Sequence, residues 1–92
     1  MIFLTERHKD WLRSAWVATL QEGPVFPRAF VRRWSRMGRV ESTEIAESLQ
    51  KEGLVSLLPG DEAILTDKGR QTATKLSAPL PFLPDFRLLQ AL

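Results

Sequence analysis

No cysteine occurs in this chain, and histidine occurs once, at position 8. The first absence removes disulfides, thiolate-bound zinc and thiol nucleophiles together. The second leaves imidazole metal sites and histidine-activated nucleophiles without the residues they require. No metal ion and no cofactor is therefore expected. A glycine-rich phosphate loop is also missing, and no paired carboxylates can be recognised, so no catalytic residue is assigned and no enzyme is expected. Long apolar runs are lacking too. None approaches the roughly 20 residues of a membrane span, and Met1-Ile2-Phe3-Leu4 is too short for a signal-peptide core. The expectation is a soluble cytoplasmic protein with no membrane partner.

What is present describes one folded domain. Ninety-two residues, 43% hydrophobic and 26% charged, suffice for a single modest core and are too apolar for a disordered chain. The charge is unevenly spread. Residues 1–40 carry eight bases against three acids, and residues 41–92 five bases against eight acids, which the net charge of +2 conceals. Such polarity favours a basic surface meeting an anion, or a charged face meeting a partner of opposite sign.

Helical periodicity organises the first half. Thr5 can cap a first helix, with Glu6 in its first turn and Gly23-Pro24 at its end. Trp11, Leu12, Ala15, Trp16 and Leu20 form its apolar stripe, with His8 at the core's edge. A second helix should open at Pro27 and stop at Gly38. On it Phe30, Val31, Trp34 and Met37 span an arc of about 120°. Arg28, Arg32, Arg36 and Arg39 fall on the other side, with Arg33 at one edge. All three tryptophans, Trp11, Trp16 and Trp34, are thus expected in the core.

A third helix should begin after a Ser42 cap and end at Gly53, burying Ile45, Ala46 and Leu49. Thr43, Glu44, Glu47, Ser48, Gln50 and Lys51 then point outward. Leu54–Leu58 and Glu62–Leu65 flank Pro59-Gly60-Asp61, the signature of a hairpin turn. Thr66 can cap a fourth helix through Gln71, Ala73 and Leu76, in which Gly69 is a weak point. The domain is expected to span residues 1–76. Residues 77–92 form a tail with Pro79, Pro81 and Pro84, too rich in large apolar groups to stay solvated. Phe82, Leu83, Phe86, Leu89 and Leu92 are its candidate interface, toward the core or a second subunit.

The order helix, helix, helix, hairpin, helix resembles the winged helix-turn-helix superfamily. Ile45-Ala46-Glu47-Ser48-Leu49-Gln50-Lys51-Glu52-Gly53-Leu54-Val55 resembles a recognition helix running into the first wing strand. Ile64-Leu65-Thr66-Asp67-Lys68-Gly69-Arg70 looks like the exit from the wing in MarR-like and PadR-like regulators. The resemblance covers residues 6–76. It implies an α+β, mostly α fold: a three-helix bundle, a short two-stranded hairpin wing, a C-terminal helix and an apolar tail. It also implies a transcriptional regulator, with the third helix in the major groove of double-stranded DNA. Carried over residue by residue, base contacts fall to Thr43, Ser48 and Gln50, and a phosphate contact to Lys51. The residues themselves add phosphate contacts from Arg28, Arg32, Arg33, Arg36 and Arg39. A homodimer through the tail and first helix completes this expectation.

A second expectation follows from sign. Glu44 and Glu47 on the third helix, and Asp61 and Glu62 at the wing tip, place acids where DNA would lie. The alternative is a winged-helix interaction module, an adaptor or inhibitor that docks on another protein and binds no nucleic acid.

Overall fold

Thr5 and His8 start the fold with a reciprocal cap. The His8 backbone N–H donates to Thr5 Oγ1 at 3.2 Å, while the Thr5 backbone N–H donates to His8 Nδ1 at 3.2 Å. Histidine thereby does the work usually given to glutamate in a capping box. From this cap runs α1 (Glu6–Glu22), whose Trp11, Leu12, Ala15 and Ala18 are wholly buried. The computed structural model describes residues 4–77. Around α1 it arranges β1 (Val25–Pro27), α2 (Arg28–Ser35), α3 (Arg39–Lys51), β2 (Val55–Leu58), β3 (Glu62–Leu65) and α4 (Asp67–Ser77). The helix α1 packs against α2, α3, α4 and β1, so its apolar stripe is the centre of the core.

The expected hairpin is present and gains a third strand. Val25, Phe26 and Pro27 pair antiparallel with Ile64, Ala63 and Glu62, giving the order β1-β3-β2. Three residues that include a proline carry little strand signal of their own, and β3 supplies the pairing that makes them one. Phe26 enters the core from this strand and meets Trp11 in a tilted contact, ring centroids 6.3 Å apart. Pro27 therefore ends a strand and N-caps α2, rather than opening that helix.

The second helix is shorter than its periodicity suggests. It ends at Ser35, where Arg36 turns left-handed (φ 56°, ψ 44°) and the backbone N–H groups of Arg36 and Met37 both donate to the Arg32 carbonyl. Arg39 thus belongs to the first turn of α3, not to the α2 stripe. Gly38, not Ser42, is the N-cap of α3. Ser42 lies buried and accepts a hydrogen bond from the Trp11 indole N–H at 3.1 Å. The need of a buried indole for a partner, met by that hydroxyl, outweighs the serine's capping tendency.

The other end of α3 follows expectation. Gly53 (φ 76°) donates to the Gln50 carbonyl and Leu54 to the Leu49 carbonyl, the paired bonds of a Schellman stop. The Leu54 carbonyl in turn accepts from Thr66, whose Oγ1 caps α4 by accepting from the Gly69 N–H at 3.0 Å. Here α4 presses so closely that a Cβ at Gly69 would stand 1.8 Å from the Leu54 oxygen. Gly69 is thus required by the close approach of α4 to the backbone of Leu54, which its low helix propensity alone would not reveal.

Candidate nucleic-acid interface

The helices α2 and α3 meet through Arg36-Met37-Gly38, with Met37 turned into the core. Because α3 starts three residues earlier than Ser42, its exposed first turn carries Arg39 and Val40, the latter 73% exposed. The sequence signals neither Val40 nor Arg39 on this helix, since the break in α2 is a backbone event without a glycine at the left-handed position. Further along, Glu44, Glu47, Gln50 and Lys51 are exposed and Thr43 is half-buried.

Two expected base-contact residues are already engaged. Gln50 Oε1 accepts from the Leu57 backbone N–H at 2.7 Å, tying α3 to the first wing strand. Ser48 Oγ lies 3.3 Å from His8 Nε2, which joins α3 to the start of α1. Since His8 Nδ1 accepts from Thr5, the ring proton lies on Nε2 and is directed to Ser48. Thr43 and Lys51 make no such contact among the described residues.

The arginines divide into two groups. Arg28 donates from Nε to the Glu62 carbonyl at 2.8 Å and from Nη2 to the Leu58 carbonyl at 2.7 Å. Arg32 makes a two-point contact with Asp61 at 2.8 and 3.3 Å. Both guanidinium groups therefore clasp the hairpin turn, and neither faces outward as the helical wheel suggests. Arg33, Arg36 and Arg39 are exposed and form no ion pair among the described residues. Elsewhere Arg7 binds Glu41 at 2.8 and 2.9 Å, and Arg13 binds Asp10 at 3.0 Å.

These pairings offset the acidity of the wing tip. The Arg32 hydrogen bonds hold the Asp61 carboxyl below its ordinary range, with through-space help from Arg28 and Arg39. The acid that counted against DNA binding is thus already neutralised, and Arg39 stands near enough to act on it. Glu62 remains exposed at the tip. On the far side of α3, the Arg7 hydrogen bonds lower the Glu41 carboxyl in the same manner. Glu44 and Glu47 form no ion pair among the described residues, although Lys51 lines the same shallow depression on α3.

Trp34 departs most from expectation. It is 55% exposed and stacks on Phe30, with centroids 5.8 Å apart and planes 16° from parallel. Val31 is the one buried residue of α2. Because hairpin carbonyls and Asp61 draw Arg28 and Arg32 inward, the buried arc of α2 is rotated toward the hairpin. On the opposite flank Phe30 still packs against the core, and Trp34, stacked on it, reaches solvent.

No protein-family model matches the chain, and no curated protein matches it in sequence. Among solved structures, the chain is similar to a MarR family transcriptional regulator from Silicibacter pomeroyi DSS-3. The two share 25% identity at a TM-score of 0.64 over 91% of this chain. The fold is a MarR-like winged helix. The chain matches 60% of the length of that regulator. In this winged helix, α3 occupies the place of the recognition helix and β2–β3 that of the wing. The candidate interface residues Phe82, Leu83, Phe86, Leu89 and Leu92, and the tail they belong to, lie outside the described residues. Among the described residues no helix is long and apolar enough to cross a membrane.

Proposed function

We propose that this chain is a winged-helix regulator that binds double-stranded DNA through arginine-led phosphate contacts. The observation that carries the reading is the cluster of unpaired cations, Arg33, Arg36 and Arg39, around the turn between α2 and the recognition helix. Lys51 at the end of α3 adds a fourth cation. Arg28 and Arg32 act at one remove, by holding the wing against α2. Thr43, with Val40 in the first turn of α3, supplies the groups that face base edges. A valine side chain suits the thymine methyl, and a threonine hydroxyl suits either donor or acceptor edge. A homodimer, with the tail at its interface, belongs to the same proposal.

Fluorescence anisotropy with a random-sequence duplex of about 20 base pairs tests it. Four phosphate contacts give a slope of log affinity against log salt of about −3 to −4 per protomer. Replacing Arg33, Arg36 or Arg39 by alanine should lower that slope by about one each. Absence of any association with the duplex pool at low ionic strength defeats the proposal.

A second reading rests on Glu44 and Glu47, two exposed carboxylates without a cation partner on the recognition helix. It makes the chain a protein-docking module that binds no nucleic acid. Exchanging both for lysine separates the readings. Duplex affinity rises if DNA is the ligand, whereas a docking module gains no duplex binding and loses its acidic contact surface.

A further inference from the structure

We infer that Trp34 is a stacking site for an unpaired nucleobase, so that the chain favours a duplex continued by a single strand over a blunt duplex. The inference rests on the DNA-binding reading and extends it to a substrate class. Three observations combine. Indole and phenyl planes lie nearly parallel, so Phe30 fixes the orientation of Trp34 and covers one side of it. More than half of Trp34 nevertheless stays open to solvent. Arg33 precedes it on the helix and Arg36 follows two residues later, both exposed and outside any ion pair among the described residues.

An exposed indole with unpaired arginines one and two residues away along the chain matches the chemistry of a nucleic-acid strand. The base offers a π-face to the indole, and the phosphates on either side offer charge to the arginines. An internal base pair cannot use this platform, because both its faces are already stacked within the duplex, and a blunt end offers only the single face of its last pair. An apolar protein surface would fit the indole, but it would leave two buried cations unpaired. The position agrees with a strand leaving the duplex. Trp34 lies about 160° around α2 from Arg32 at 100° per residue, so it faces away from the wing that Arg32 holds. Pre-orientation also matters, because a platform held by Phe30 loses little rotamer freedom when a base arrives.

The test compares a blunt duplex with the same duplex carrying a six-nucleotide single-stranded extension at either end, by anisotropy at fixed salt. The extended duplex should bind roughly 5- to 100-fold more tightly. Trp34→Ala should abolish that preference while leaving blunt-duplex affinity unchanged, and Trp34→Phe should retain most of it. Tryptophan emission should be quenched by the extended duplex in the parent protein and not in Trp34→Phe. Thermal melts confirm that each variant folds. Equal binding of blunt and extended duplexes by the parent overturns the inference and leaves the DNA reading standing. So does an equal loss for both duplexes in Trp34→Ala, which marks a bracing role for the indole. If neither duplex binds, and sedimentation shows self-association that Trp34→Ala dissolves, both readings fall and a second copy is the partner of this surface.

Discussion

The Arg32 guanidinium meets the Asp61 carboxylate at two points, Nη2 to Oδ2 at 2.8 Å and Nη1 to Oδ1 at 3.3 Å. It thereby ties the second helix to the tip of the wing, across 29 positions of sequence. Asp61 is also one of two non-glycine residues with positive φ among the described residues, at 58°. Two-point geometry and a second arginine nearby make this more than an isolated surface pair. Arg32 is only 16% exposed at its side chain, whereas Asp61 is 40% exposed, so solvent still screens the acid.

Asp61→Asn is expected to cost about 0.5–1 kcal/mol, the range of well-placed but partly exposed pairs. Its pH dependence has a definite sign. Arg32 lowers the Asp61 carboxyl in the folded state, so its contribution is complete above the unfolded value and fades as pH falls through the folded one. The parent should therefore lose this increment only below about pH 4. The variant should show no such loss. Urea titrations at neutral and acid pH measure both effects, and a stability gap that widens on acidification contradicts the assignment.

Ser42→Ala should destabilise by about 1–3 kcal/mol, because it strands the Trp11 indole N–H in the core. The control is Trp11→Phe, which removes the donor. If the hydrogen bond is the cause, the double variant loses less than the sum of the singles. If serine acted as a helix cap, the two losses would add.

Gly69→Ala places a methyl group 1.8 Å from the Leu54 carbonyl oxygen, and backbone must move on one side or the other. The overpacking cost of about 1–3 kcal/mol should exceed the gain in helix propensity of about 1 kcal/mol. A lower urea midpoint at unchanged slope is the expected result, and a raised midpoint contradicts the close approach.

Arg36 holds a left-handed conformation that costs an L-residue roughly 1–2 kcal/mol and glycine almost nothing. Arg36→Gly should thus leave melting temperature unchanged or raised. Under the proposed function the same variant binds duplex more weakly with a shallower salt slope. Loss of both stability and binding would show that the arginine side chain braces the turn.

Sequence alone determined the order of the four helices, the hairpin and most of the buried apolar face of α1 and α3, because these depend on local spacing, whereas the α2–α3 boundary did not follow from it. The apolar period of Trp11, Leu12 and Ala15 places α1, Gly53 stops α3, and Pro59-Gly60-Asp61 turns the chain between two short strands. Tertiary structure decided which side chains remain available. Arg28, Arg32, Ser48 and Gln50 read as outward-facing groups, yet each finds a partner on an element remote in sequence or beyond its own helix. Trp34 reads as core, yet α2 presents Arg28 and Arg32 to the hairpin and leaves the indole exposed on its other side. Periodicity records only how polar a position is. Whether a polar group is spent within the fold or kept for a ligand depends on which carbonyl or carboxylate the rest of the chain brings within about 3 Å of it.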